Sequence, residues 1–329
     1  MAGLARPFSF QQGVRPPFPP ARRRHNGVIM SASFRTSGDL LADRRYAYGA
    51  AAAKEGDHEA AADLFAQTLE IVPDWAPAAI ALGDAKLASG EPDAARALYE
   101  RTLSLDPEDV LGARARLARL GAVPPDRALS DGYVRGLFDD YADRFDAHLL
   151  GSLGYRAPDL ILGALPPGRF ARALDLGCGT GLMGRAVRDR VDTLVGCDLS
   201  PAMIEKAREK QFYDHLAVAD LVTFLDGEAE ASADLVLAAD VFVYVGDLAP
   251  VFAAARRVID PTGFFVFTVQ SHSGAGFVVG DDLRTAHSEA WLMSVAARTG
   301  FRVERLDEVS ARHDAGRPVP GFLLSLRPA

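Results

Sequence analysis

Apolar residues recur along this chain at two different periods, and the change falls between about residues 163 and 170. Before it the spacing is helical. Ala60, Ala61, Leu64, Phe65 and Leu69 share one helix face, as do Ala94, Ala95, Leu98, Tyr99 and Leu103. The second set lies 34 residues after the first, and Gly49, Gly56, Thr68 and Pro73 recur in step as Gly83, Gly90, Thr102 and Pro107. Small residues where helices cross, and a proline closing each second helix, predict helix pairs over 41–54 with 57–71 and 75–88 with 91–104. A further helix over roughly 108–120, carrying Arg114, Arg116 and Arg119 on a more polar surface, is expected to cap the array.

The string Gly121-Ala-Val-Pro-Pro-Asp interrupts the helical pattern, because adjacent prolines cannot continue a helix. Ser130 and Asp131 then suit the cap of a helix with Val134, Leu137, Phe138, Tyr141, Phe145 and Leu149 on one side. Beyond it, short apolar runs alternate with helical stretches. Strands are predicted at 173–176, 191–197, 215–219, 233–239, 263–269, 301–309 and 321–327, with helices at 201–210, 248–258 and 288–299. Alternation of this kind implies a mostly parallel sheet with helices on both faces. Ligands then bind beyond the carboxyl ends of the strands.

The chemistry concentrates at Ala173-Leu-Asp-Leu-Gly-Cys-Gly-Thr-Gly-Leu-Met-Gly184, a strand, a glycine turn and a helix start. Bare backbone at Gly177, Gly179 and Gly181 permits unusual dihedrals and close approach of an adenosine-bearing ligand. Gly179-Thr-Gly181-Leu-Met-Gly184 also satisfies the dinucleotide pattern Gly-x-Gly-x-x-Gly. Asp175 decides between the two, since a fixed negative charge at the mouth of the turn repels a pyrophosphate and suits a cationic ligand. Leu-Asp-Leu-Gly-Cys-Gly-Thr-Gly resembles the first motif of class I S-adenosylmethionine-dependent methyltransferases. The 34-residue period resembles that of tetratricopeptide repeats. Phe138-Asp-Asp-Tyr141-Ala-Asp-Arg-Phe145-Asp-Ala-His148-Leu and Tyr155-Arg156-Ala-Pro158 look like strings in uncharacterised bacterial methyltransferases that carry such repeats, and this likeness spans nearly the whole chain after residue 38.

The resemblance implies a Rossmann-like α/β domain of seven strands with an antiparallel final hairpin, preceded by an all-α repeat unit. It also implies a helix before the first strand that lies across the cofactor as a lid. S-adenosylmethionine is the cofactor expected, with Asp175, Gly177, Cys178, Gly179, Thr180 and Gly181 in its turn. Asp198, 23 positions beyond Asp175, suits the ribose hydroxyls; Asp220 is placed near the adenine amino group, with Leu199, Met203 and Leu221 on the adenine faces. Asp240 and Val241 follow the fourth strand beside the methionine moiety. Tyr141, Arg144 and Tyr155 are candidates for cofactor or substrate contact, with plain amphipathic packing as the alternative.

A sulfonium donor is already activated, so the protein mainly supplies alignment, and a general base matters only when the acceptor arrives protonated. Tyr244, His272 and His287 are the candidate bases, and Arg284 suits an acidic substrate. No Asn-Pro-Pro-Tyr or Asp-Pro-Pro-Tyr follows the fourth strand, and neither Cys178 nor Cys197 follows a proline, so the signatures of amino- and C5-methylating DNA enzymes are missing. The histidines show no metal-ligand spacing, and metal-free transfer is expected.

Composition changes this picture little. Of 329 residues 49% are hydrophobic and 24% charged, ordinary for a globular protein, and a net charge of −8 argues against a broad nucleic-acid surface. Two cysteines give no disulfide framework, and no apolar run approaches a membrane span, so a cytoplasmic protein is expected without membrane or nucleic-acid partners. Residues 1–37 open with prolines and arginines and no acid before residue 39, which predicts a disordered leader, with Met30 as an alternative start. The repeat unit is expected over 38–121, with 15 acidic against 9 basic residues. That balance suits a basic peptide or protein partner; a structural appendage or a homodimer contact are the alternatives. The methyltransferase domain is expected over 122–329, with lid helices over 131–163 and the core over 170–329. The function expected is methyl transfer to a small-molecule acceptor, at oxygen. The alternatives are a protein or carrier-protein-bound substrate recruited by the repeats, and a non-catalytic cofactor-binding interaction protein.

Overall fold

The computed structural model describes residues 36–329, and the leader lies outside the described residues as far as residue 35. Four helices come first: α1 (Leu40–Glu55), α2 (His58–Ile71), α3 (Ala76–Ala88) and α4 (Pro92–Leu105). They pair because glycine lets an aromatic ring reach the backbone of its partner helix. A Cβ at Gly49 would stand 2.8 Å from the Phe65 ring, and one at Gly83, 34 residues on, 2.6 Å from the Tyr99 ring.

The capping helix is shorter than its pattern predicts. It is α5 (Ala113–Arg119), because Asp109 at φ 56° and Gly112 at φ 72° adopt left-handed backbone that no helix continues through. Arg116 also departs from expectation: it is only 8% exposed. Its Nε and Nη2 donate to Asp84 at 2.6 and 2.9 Å, and Tyr99 Oη donates to the same carboxylate, which pins α5 to the preceding pair.

Three helices lead into the second unit: α6 (Asp131–Tyr141), α7 (Phe145–Gly151) and α8 (Ala157–Ala164). Ser130 caps α6 by accepting from the Tyr133 N–H at 3.1 Å. Strand and helix then alternate through β1 (Phe170–Leu176), α9 (Leu182–Val187), β2 (Val191–Asp198), α10 (Pro201–Lys210), β3 (His215–Val218), α11 (Leu221–Gly227), β4 (Ala233–Ala238), α12 (Ala249–Val258) and β5 (Ile259–Ser271). The chain continues as β6 (Phe277–Val279), β7 (Thr285–His287), α13 (Glu289–Arg298), β8 (Phe301–Val309), β9 (His313–Asp314), β10 (Arg317–Pro318) and β11 (Gly321–Pro328).

The main path through the sheet is β3-β2-β1-β4-β5-β11-β8, parallel except for β11, which runs antiparallel to both neighbours. The short strands β6 and β7, absent from the predicted pattern, extend the sheet beside β5, and β9 and β10 form a separate ribbon. Both faces of the sheet are buried. Leu174, Leu176, Val236, Phe265 and Phe267 point into one core, while Ala173, Leu235, Leu237 and Val266 point into the other. Each of these leucine, valine and phenylalanine side chains contributes roughly 1.5–3 kcal/mol when fully buried.

The strand order reverses between β1 and β4, opening a cleft where their carboxyl ends diverge. Helices α6 and α7 roof that cleft. No helix among the described residues is long and apolar enough to cross a membrane.

Candidate active site

After β1 the chain turns through Gly177 and Gly179 at φ 62° and 52°. The first must be glycine for space as well, since a Cβ there would stand 2.7 Å from the Val241 side chain across the cleft. The carboxylate of Asp198, at the end of β2, accepts from the Gly179 N–H at 2.9 Å and the Ser200 N–H at 2.9 Å. Asp220 caps α11, accepting from Val222 and Thr223 N–H groups. Asp240 follows β4 at φ 60° and donates its N–H to Thr268 Oγ1 at 2.9 Å.

These strand ends and helices α6 and α7 enclose a mostly apolar cavity. Gly177, Gly179, Asp198, Leu199, Asp220, Leu221, Asp240 and Val241 line it from below, Tyr141 and Tyr155 from the roof side, and Tyr244 and Arg284 from the far wall. Phe138, Phe145 and Arg312 line it too. Burial pushes the Asp198 carboxyl up to about 6, against the pull of its backbone donors. For Asp220, burial acts in the same sense but the donors from Thr223 and Val222 outweigh it, and the carboxyl sits below its ordinary range. Burial raises the Tyr155 phenol, whose Oη donates to the Ala239 carbonyl at 3.0 Å, and pushes the Tyr141 phenol up to about 12. Tyr141 is hydrogen-bonded to His148.

Eight of the predicted site residues stand off the cavity wall. Asp175 is fully buried behind the turn, where Tyr213 Oη donates to its Oδ2 at 2.6 Å while Oδ1 has no hydrogen-bond partner among the described residues. Burial pushes its carboxyl up to about 7. Cys178 is buried beneath the turn, Thr180 donates to Asp146 of α7 at 2.5 Å, Gly181 starts α9, and Met203 is fully buried on α10. The Arg144 guanidinium lies over the Tyr141 ring, 5.8 Å from its centroid.

The two histidines need correction as bases. His287 is wholly buried, stacked on Trp291 and bonded through Nε2 to the Gly246 carbonyl at 3.0 Å; burial lowers its pKa to about 4. His272 is engaged in its own turn, accepting from the Gly274 N–H through Nδ1 and meeting the Gly276 carbonyl through Nε2. Neither reaches the cavity.

Three residues went unread in the sequence. Arg312 is 3% exposed, and its Nη1 donates to both oxygens of Asp240 while Nη2 donates to Gln270. Tyr213 fills the space over Gly184 and Gly196 and accepts from the Gly184 N–H at 3.1 Å. Asp139 of α6 accepts from Ser200 Oγ at 2.5 Å, fastening the roof to α10. Neither Arg312 nor Tyr213 lies in a motif, but Asp139 belongs to the acidic string Phe138-Asp-Asp-Tyr141 on α6.

Residues 174–267, from β1 through most of β5, match the family model of a methyltransferase domain, and residues 52–123 match that of a tetratricopeptide repeat. The chain carries a class I methyltransferase domain behind tetratricopeptide repeats. S-adenosylmethionine is the cofactor of this class. The malonyl-[acyl-carrier protein] O-methyltransferase of Salmonella typhimurium is 32% identical over 135 residues, 41% of this chain and 52% of that protein. The ubiquinone biosynthesis O-methyltransferase of Paracidovorax citrulli is 29% identical over 162 residues, 45% of this chain and 68% of that protein. The chain thus spans about half the length of the first of these relatives. Among solved structures it matches the 1,6-didemethyltoxoflavin-N1-methyltransferase of Burkholderia thailandensis at 17% identity and a TM-score of 0.46, over 59% of this chain and 87% of that one.

Proposed function

We propose that this methyltransferase moves a methyl group from S-adenosylmethionine to an ionised carboxylate oxygen of a small acyl acceptor. Arg284 carries the reading. It stands on the wall of an otherwise mostly apolar cavity, its Nε 3.4 Å from the Tyr244 hydroxyl and its Nη1 3.9 Å from an Asp282 carboxylate oxygen. Arg312, by contrast, is already neutralised by Asp240. A guanidinium with so loose a counter-ion in a poorly solvated cleft favours an anionic ligand.

The cofactor fits the rest of the wall. Bare backbone at Gly177 and Gly179 admits close approach, Asp198 retains lone pairs for ribose hydroxyls, and Leu199 and Leu221 offer apolar faces to a purine, with Asp220 at its edge. Asp240 and Val241 border the methionine end, and buried Asp175 supports the turn from behind. When bound, the cofactor supplies a methyl group activated on a positively charged sulfur. Arg284 and Tyr244 orient the acceptor, while Phe138, Tyr141 and Phe145 exclude water. A carboxylate is ionised at neutral pH and needs no base, which agrees with a cavity wall that carries no imidazole among the described residues.

The same chemistry extends to a carboxylate on a carrier-bound acyl chain, the kind of substrate named for the Salmonella relative. The test is to supply labelled S-adenosylmethionine with a panel of monocarboxylic and dicarboxylic acyl acceptors, free and carrier-bound, and treat the products with mild base. Methyl esters release methanol. A base-labile product that disappears in Arg284→Ala and partly returns in Arg284→Lys is expected; a base-stable product contradicts carboxylate transfer.

A further inference from the structure

The last turn of the repeat unit is built into the roof of the cavity. Helix α6 presents Val134, Phe138 and Tyr141 to the cavity, and turns Gly132, Tyr133 and Gly136 toward residues 108–112. The fit there leaves no slack. A Cβ on Gly132 would stand 2.0 Å from the Glu108 carbonyl oxygen, one on Gly112 2.6 Å from the Tyr133 ring, and one on Gly136 2.7 Å from Val110 Cγ1. One buried carboxylate joins the two units at this seam. Asp109 accepts from Ser130 Oγ, the cap of α6, at 3.0 Å and from the Arg114 N–H, in α5, at 3.2 Å.

The other edge of α6 is held differently. Asp139 accepts from Ser200 Oγ and the Ala202 N–H, and Asp143, in the turn just past α6, pairs with Lys206 while almost fully solvent-exposed. The exposed Asp143–Lys206 pair contributes little, which leaves Asp139 to hold that edge. On the repeat side the backbone itself is packed, and a buried carboxylate is shared across the seam.

We infer that residues 108–112 of the repeat unit are the mount that positions the lid helix, so that the repeats set the shape of the cofactor cavity. Val110, Asp109 and Gly112 are positioning residues that act through α6. The inference rests on the cofactor reading above, and gives the repeats a role within the catalytic unit whether or not they also hold a partner.

A wedge and its relief test this in the full-length protein. Gly136→Ala improves intrinsic helix propensity, so it does not weaken α6 itself; its new methyl group pushes the helix off Val110. Val110→Ala removes the atoms it strikes. Calorimetric titration with S-adenosylhomocysteine is paired with hydrogen exchange over residues 131–149. Gly136→Ala is expected to weaken binding about tenfold and to speed exchange in the lid, whereas Val110→Ala with Gly136→Ala restores both to within about twofold. Unchanged binding and exchange in Gly136→Ala, or failure of the double variant to recover, overturns the inference. Should the unaltered protein not bind S-adenosylhomocysteine, the cofactor reading fails, and lid exchange alone decides this one by the same pattern.

Discussion

Asp240, just beyond β4, accepts two hydrogen bonds from Arg312 Nη1, at 2.6 and 2.8 Å, although 72 residues separate them. The arginine is almost fully buried and the aspartate mostly so. Removing one partner of such a pair strands the other's charge. Arg312→Ala is therefore expected to lower stability by about 3 kcal/mol in urea unfolding, and Asp240→Asn with Arg312→Met to cost clearly less than the two single changes summed. A loss under about 1 kcal/mol for Arg312→Ala contradicts this account of the pair.

Tyr213 supports the glycine turn from beneath. Its hydroxyl donates to Asp175 and accepts from the Gly184 N–H, so Tyr213→Phe deprives the buried carboxylate of its one side-chain donor among the described residues. Stability should fall by about 1–3 kcal/mol. The Asp175 carboxyl, already pushed up to about 7 by burial, should rise further, moving the pH onset of S-adenosylhomocysteine binding upward. An unmoved onset would show that Asp175 does not report on the cofactor turn.

The repeat pattern was legible because each repeat uses the same collision to space its helices. Gly49 faces Phe65 and Gly83 faces Tyr99, so the sequence period and the packing contact are one fact. Strand-end aspartates were legible for a similar reason, each closing one strand-and-helix unit. What escaped depends on tertiary placement. Arg312 and Tyr213 reach the site from loops after β8 and α10, with no spacing that ties them to it. His287 looked like a loop histidine, and its complete burial follows from the short strands β6 and β7, too brief to leave a period. The cap helix shortened because two left-handed residues, one of them Asp109, interrupt a plausible helical face.

Gly49→Ala and Gly83→Ala should each destabilise the repeats by about 1–3 kcal/mol, since the added methyl meets an aromatic ring already at contact. Equal losses in chemical unfolding are expected from the matched distances. Phe65→Leu should recover part of the Gly49→Ala loss and none of the Gly83→Ala loss.

Acid should act on the fold and on binding in opposite senses. Burial pushes Asp198 up to about 6 and Asp175 up to about 7, above the ordinary 3.8. The native protein therefore holds these protons more tightly than the unfolded chain. Their contribution to stability is full below about pH 4, declines as pH rises toward 7, and is level above. Binding runs the other way, because the ionised Asp198 is the better acceptor for ribose hydroxyls. S-adenosylhomocysteine should bind about tenfold more weakly at pH 5 than at pH 8, and Asp198→Asn should make that dependence shallower, leaving the part set by Asp175. A profile unchanged by Asp198→Asn assigns the titration elsewhere.

The most direct test is calorimetric titration of the full-length protein and of Asp198→Ala with S-adenosylmethionine, S-adenosylhomocysteine and NADH, alongside thermal unfolding of both. About micromolar binding of the first two, none of NADH, and roughly hundredfold weaker binding in Asp198→Ala with folding intact are the results expected. NADH binding in place of S-adenosylmethionine, or undiminished affinity in Asp198→Ala, would contradict a cavity built for this cofactor.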